Sequence, residues 1–221
     1  MNTGNKIHQQ AIMRTQWFVL IFLIFYSVGI AGLSINFTRE LFIRLVPLAL
    51  LLGFAVLLIF HEGEFSAKTI IAFSLVWLIA FLVEAAGVAT GKIFGFYQYG
   101  ETLGIKILET PLIIGINWLF LVYVTASTAS HFKLNGLVAA VFASGLMVFY
   151  DIVLEQLATI LGMWSWQNNL IPLQNYVAWF ILSLAFQLLF QWLKIETKNK
   201  IAPWLFGLQF LFFLILYFIF N

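Results

Sequence analysis

Of the 221 residues, 63% are hydrophobic and only 9% are charged, whereas soluble domains run near 45–50% apolar and about 25% charged. There is too little polar surface to coat a fold in water. A net charge of +2 gives no electrostatic footprint for nucleic acid, and a chain without cysteine has no disulfide, thiolate nucleophile or Cys-ligated metal.

A bilayer core of about 30 Å needs about 20 apolar residues of helix. Seven stretches meet that length: Gln16–Ile35, Ile43–Phe60, Thr69–Ala89, Pro111–Ser130, Leu134–Leu161, Tyr176–Leu193 and Pro203–Phe220. The predicted fold is therefore an all-α transmembrane bundle, one domain over residues 1–221, with short connections and no internal repeat. Lys6 and Arg14 precede the first run in the manner of a signal peptide. The run from Trp17 to Leu33 lacks a clean small-x-small cleavage site, so it reads as a retained first span.

Orientation follows the basic residues of the loops. With seven spans, one side holds Lys6, Arg14, Lys68, Lys133, Lys194, Lys198 and Lys200. The other holds Arg39, Arg44, Lys92 and Lys106. The richer side is expected to be cytoplasmic, which puts the N-terminus inside and the C-terminus outside. Two connections on the poorer side are unusual. Thr90–Thr110 is long and rich in Gly and Tyr, and Gly162–Asn175 carries Trp164, Trp166, Gln167, Asn168 and Asn169. Parity places both loops on one face.

Acidic side chains at membrane depth are costly and mark functional candidates. Asp151 and Glu155 stand i,i+4 in the fifth span, on one helix face. Asp151 follows Leu134 by 17 residues, roughly 25 Å at about 1.5 Å per residue, so the pair sits near the fifth loop. Glu84 reaches a similar depth in the third span, beside the third loop. Glu109 and Asn117 begin the fourth span on that side, and Gln174 and Asn175 the sixth. The alternative for these acids is a place at the interface, solvated or paired with Lys92 or Lys106. Two carboxyls on one apolar face couple, so that one keeps its proton near neutral pH, as general acid catalysis requires. A di-metal carboxylate site would want Glu-x-x-His pairs on facing helices. His8, His61 and His131 all lie toward the opposite ends of the spans, so no metal is expected.

Gly87, Gly91 and Gly95 have GxxxG spacing, which suits close helix packing. Tyr97, Tyr99, Trp164 and Trp166 fit either an interfacial aromatic belt or a surface that stacks on a polyene and stabilises a cation.

The stretch Glu84–Trp118, EAAGVATGKIFGFYQYGETLGIKILETPLIIGINW, resembles the carotenoid biosynthesis membrane proteins that include carotenoid 1,2-hydratases. The matching residues are Glu84, Thr90, Gly91, Phe94, Gly95, Tyr97, Tyr99, Leu103, Gly104 and Pro111. Tyr150–Trp166 is similar to that family's Asp-x-x-x-Asp helix and Trp-rich turn, with Glu155 where Asp is frequent and Gln156 where Pro is. Ile171–Phe180 is similar to its Pro-Leu-x-Asn-aromatic-x-x-Trp segment.

The resemblance implies hydration of a linear ψ end group, as in lycopene or a monocyclic carotene. A carboxylic acid would protonate the terminal alkene and water would capture the tertiary cation, with no cofactor because no redox change occurs. Asp151 is the expected acid and Glu155 the group that positions or deprotonates water, with the reverse assignment open. Glu84 is a third polar group, and Tyr97, Tyr99, Trp164, Trp166, Asn117, Asn175 and Glu109 are expected to bind substrate. Partners are then the carotenoid and the lipid bilayer. Rival readings are an end-group cyclase, a transporter, and a carotenoid-binding or rhodopsin-like scaffold. The last would need a lysine within Pro203–Phe220 for a Schiff base, and there is none.

Overall fold

The computed structural model describes residues 3–221, with side chains from Thr15 onward, so the side chains of Lys6, His8 and Arg14 lie outside the described residues. The chain runs α1 (Thr3–Ser34), α2 (Asn36–Arg44), α3 (Val46–Ile59), α4 (Ala67–Thr90), β1 (Tyr97–Tyr99), β2 (Lys106–Ile107), β3 (Thr110–Pro111), α5 (Ile113–His131), α6 (Gly136–Ala158), β4 (Trp164–Trp166), a 3-10 turn, α7 (Leu173–Trp192) and α8 (Ala202–Phe220). Among the described residues, six helices are long and apolar enough to cross a membrane, and the bent pair α2–α3 makes a seventh if counted as one span. The protein is an integral membrane protein.

The second expected span, Ile43–Phe60, is therefore corrected. The stretch holds α3 and only the last two residues of α2, and these two helices meet at a 54° bend. α2 carries Arg39, Glu40 and Arg44, which resist hydrocarbon, and Pro47 opens α3. Arg39 donates from Nε to the Leu33 carbonyl oxygen at 2.9 Å and its guanidinium lies 4.9 Å from the centroid of the Phe220 ring, which fixes α2 across the ends of α1 and α8. Only the 14 residues of α3 remain to cross, about 21 Å of helix.

α5 is the axis of the bundle. It packs against α3, α4, α6, α7 and α8 and is buried along nearly its whole length. A helix apolar all round belongs inside. The surrounding helices keep Leu, Ile and Phe on their outer faces, among them Leu78, Phe149, Ile181 and Leu211, as a lipid-facing surface requires.

The two unusual loops meet on one face. β1 pairs antiparallel with β4, with Tyr97 opposite Trp166, Gln98 opposite Ser165 and Tyr99 opposite Trp164. Thr102 Oγ1 donates to the Leu161 carbonyl oxygen at 2.7 Å, and Gly100 N to that of Met163 at 2.8 Å. At Gly100 any Cβ would collide with the Gly162 carbonyl oxygen, so the strands approach this closely only because the residue is glycine. On the opposite face, Glu62 N donates to the Lys198 carbonyl oxygen at 3.1 Å, and Asn199 Nδ2 to that of Leu57 at 2.8 Å. These bonds tie the α7–α8 connection to the last turn of α3 and to the α3–α4 connection.

The glycine series also departs from expectation. Gly87 lies under the Phe94 ring, while Gly91 takes φ 65° as the left-handed cap that ends α4. Gly95 is in the loop. The spacing serves a helix end and its return, not a helix–helix seam.

Candidate functional site

α4, α5, α6 and α7 each deliver a polar side chain to the interior just beneath the paired strands. Glu84, Asp151 and Glu155 are 3%, 0% and 5% exposed, and none of them takes part in an ion pair among the described residues. Lys106, offered above as a counter-ion, instead pairs with Glu101 at 2.8 Å and donates to the Tyr99 carbonyl oxygen.

The donors that meet these carboxyls are neutral. Glu84 Oε2 accepts from Tyr97 Oη at 2.5 Å and Tyr99 Oη at 2.8 Å, and Glu84 Oε1 accepts from Trp118 Nε1 at 2.8 Å. Glu155 Oε2 accepts from Trp164 Nε1 at 2.9 Å and Trp166 Nε1 at 2.6 Å. Asn175 Nδ2 then bridges the acid pair, donating to Asp151 Oδ2 at 2.9 Å and to Glu155 Oε1 at 3.1 Å. Burial, then the neighbouring Glu84, hold the Tyr97 and Tyr99 phenols well above their ordinary range, so both remain O–H donors.

The strand pairing explains how the loops reach these acids. In a β-strand alternate residues share a face, so Tyr97 and Tyr99 of β1 and Trp164 and Trp166 of β4 all turn inward. Gln98, between the tyrosines, is exposed. Trp164 and Trp166 are buried, which removes them from the aromatic belt of the alternative reading. The Tyr97 and Trp166 rings lie 5.0 Å apart between centroids, and Tyr99 and Trp164 6.1 Å.

Residues 45–221 match the carotenoid biosynthesis protein family. The chain belongs to this family. No curated protein and no solved structure matches it. Membership gives the protein a role in carotenoid biosynthesis and points to an enzyme.

In this family member three internal spaces lie in series. A chamber of about 20 Å³ is lined by Glu84, Glu155, Asn175, Trp179 and the four inward-facing strand aromatics. It has room for about one water, which needs ~10–15 Å³. A second space, about 30 Å³, shares Ile114, Asn117 and Trp164 with the chamber. The third, about 320 Å³, lies among α1, α3, α5 and α8, and shares Asn117, Met163 and Phe213 with the second. Asn117 lines all three.

The structure brings together Glu84, Asp151, Glu155, Tyr97, Tyr99, Trp164, Trp166, Asn117 and Asn175. It does not bring in Glu109, which is exposed with φ 58° in the β2–β3 turn. Its neighbours Lys106 and Ile107 fold back on Thr110 and Pro111, so the span expected to start near Glu109 starts later. Asp151 lies beside Glu155, outside the chamber lining. Gln174 donates to the Lys92 and Ile93 carbonyl oxygens and anchors the loop. Two members of the site carried no expectation: Trp118, donor to Glu84, and Trp179, stacked on Trp118 at 4.2 Å. Trp179 follows Asn175 by four residues, a same-face spacing that could have found it.

Proposed function

We propose that the protein is a carotenoid hydratase that adds water across the terminal double bond of a linear ψ end group. The observation that carries this reading is a one-water chamber between two buried carboxyls, set in series with an apolar cavity. The alkene is delivered from the greasy side and water is metered rather than excluded.

Asp151 is the proton donor. In Glu84 and Glu155 both carboxyl oxygens already accept N–H or O–H bonds, three to each residue, which leaves less room for a proton there than on Asp151. Asp151 Oδ1 is buried with no hydrogen-bond partner among the described residues. Leaving a charge there costs more than leaving a neutral acid, so the resting proton of the Asp151–Glu155 pair, which titrates as a unit, resides on Asp151. Transfer of that proton to the less substituted alkene carbon leaves a tertiary cation. The cation forms beside the chamber, next to the Trp164 ring, which lines both the chamber and the adjoining space, and the carboxylates of Glu84 and Glu155 face it from the chamber side. The chamber water bonds to the cation, Glu155 takes the surplus proton, and the pair is restored. The sum is alkene plus water giving a tertiary alcohol.

The face bearing Lys68, Lys133, Lys194, Lys198 and Lys200 is cytoplasmic in this reading, and the chamber lies toward the other side of a bacterial cell membrane.

Turnover of lycopene in water labelled with heavy oxygen tests the chemistry. The product should gain one labelled water while its visible spectrum barely moves, because the terminal bond is isolated from the conjugated chain. A product of unchanged mass would make the protein a cyclase. Label from molecular oxygen would make it a hydroxylase and overturn the carboxylate mechanism.

A further inference from the structure

The 320 Å³ cavity is of ligand size, within the range of about 300–1,000 Å³ usual for such pockets. Its walls are almost wholly apolar, and it is not closed off from the surroundings. Val28 on α1 and Leu48 and Leu52 on α3 line it and are also 53%, 51% and 44% exposed. They lie in spans whose outer faces meet lipid, so the cavity opens sideways between α1 and α3. Its inner end is Val46, Leu50, Asn117, Met163 and Phe213, the residues shared with the space leading to the carboxyls.

The break between α2 and α3 helps to make this opening. Phe42 of α2 packs on Gly32 of α1, so the two helices touch at the face. Below that contact Gly29 and Gly53, on α1 and α3, both line the cavity and present no side chain to it. A Cβ at Gly53 would meet only the Phe120 ring, at 3.7 Å, so a larger side chain there has the cavity to occupy.

We infer that this cavity is the substrate tunnel. It takes one end of a long linear isoprenoid directly from the bilayer through the α1–α3 gap, and the rest of the chain stays in lipid. The inference rests on the carotenoid substrate argued above but not on water being added. It implies an enzyme that reads the end group it engulfs and not the far end of the molecule.

The cysteine-free chain allows a direct test. Ala49 lines the cavity, and Ala49→Cys places one thiol inside it. Leu78→Cys, on the outer surface of α4, is the control. Both are reacted with a lipid-dissolved alkyl maleimide in empty and in lycopene-loaded vesicles. Lycopene should slow labelling of Ala49→Cys several-fold and leave Leu78→Cys unchanged. Adding Gly53→Phe should abolish the protection. If Ala49→Cys fails to insert, Leu52→Cys on the same wall gives the same readout. Protection without any water added to lycopene would support the tunnel while ending the hydratase reading. Equal labelling with and without lycopene, in a protein that still hydrates it, would overturn the tunnel.

Discussion

The two ends of the bundle each hold a polar cluster, and they are built in opposite ways. Toward the paired strands, three carboxyls are buried and met only by neutral N–H and O–H donors. At the other end, Glu62 meets Lys198 at 3.3 Å and Lys200 at 3.4 Å, both lysines being more than half exposed. An exposed pair of opposite charges contributes little and anchors a helix end in the interface. Buried acids without counter-ions cost stability and persist where they act. The difference separates a site from an anchor with no appeal to residue type, since both clusters contain glutamate.

The sharpest way to break this comparison is to neutralise each end in turn. Asp151→Asn or Glu155→Gln should lower turnover by the factor of about 10²–10⁴ typical of general acid–base catalysis, at unchanged membrane abundance. Glu62→Gln should leave turnover unaltered. A rate assay on equal amounts of purified protein decides it. Wild-type rates in both amide variants would end the acid assignment.

Next in size is the scaffold of the site. Gly100→Ala forces a Cβ onto the Gly162 carbonyl oxygen and should part β1 from β4, with loss of both activity and thermal stability. A Gln98→Ala variant, on the exposed side of the same strand, should behave as wild type. A fully active Gly100→Ala protein would mean that the pairing does not hold the site.

Smaller again is the donor to Glu155. Trp166→Phe keeps the ring stacking but removes the 2.6 Å N–H bond, leaving a buried acceptor poorer by one donor at a cost of about 1–3 kcal/mol. The denaturation midpoint should fall and the pH profile of turnover should shift. A Trp204→Phe variant, on the exposed surface of α8, should move neither.

The smallest effect belongs to the anchor end. His61 Nδ1 lies 2.5 Å from Tyr123 Oη, and its Nε2 is buried without a partner among the described residues. Burial holds the imidazole below its ordinary value near 6.5, partly opposed by Glu196. The neutral form is thus favoured in the fold. Stability from this group is present above the unfolded value of 6.5 and is lost as pH falls below it. The thermal midpoint should drop modestly between pH 7.5 and 5.5, and less so in His61→Gln. Identical pH responses in the two proteins would refute the assignment, and turnover at neutral pH should be the same in both.

Much of the site could be read from the chain because its features are local. Asp151 and Glu155 share a face through i,i+4 spacing alone, and the Tyr97–Tyr99 and Trp164–Trp166 pairs share a face through strand alternation. What was misplaced depended on a turn or a break. Glu109 falls outside because the β2–β3 turn occupies residues that resemble a helix start. The second span is broken because the charges of α2 and Pro47 outweigh the apolar run that follows.

Composition by itself determined that this chain lives in a bilayer, since no water-exposed fold can be coated with so few polar residues. Spacing determined which acids stand together on α6, because helix geometry is the same in every protein. Only the tertiary structure decided that Asn175, 20 residues beyond Glu155, bridges it to Asp151. It also decided that Trp118 rather than a lysine serves Glu84, and that α1 and α3 part enough to leave a cavity. Those outcomes depend on how helices distant in sequence rotate and tilt against α5, which is set by packing summed over all of them and is encoded in no single segment.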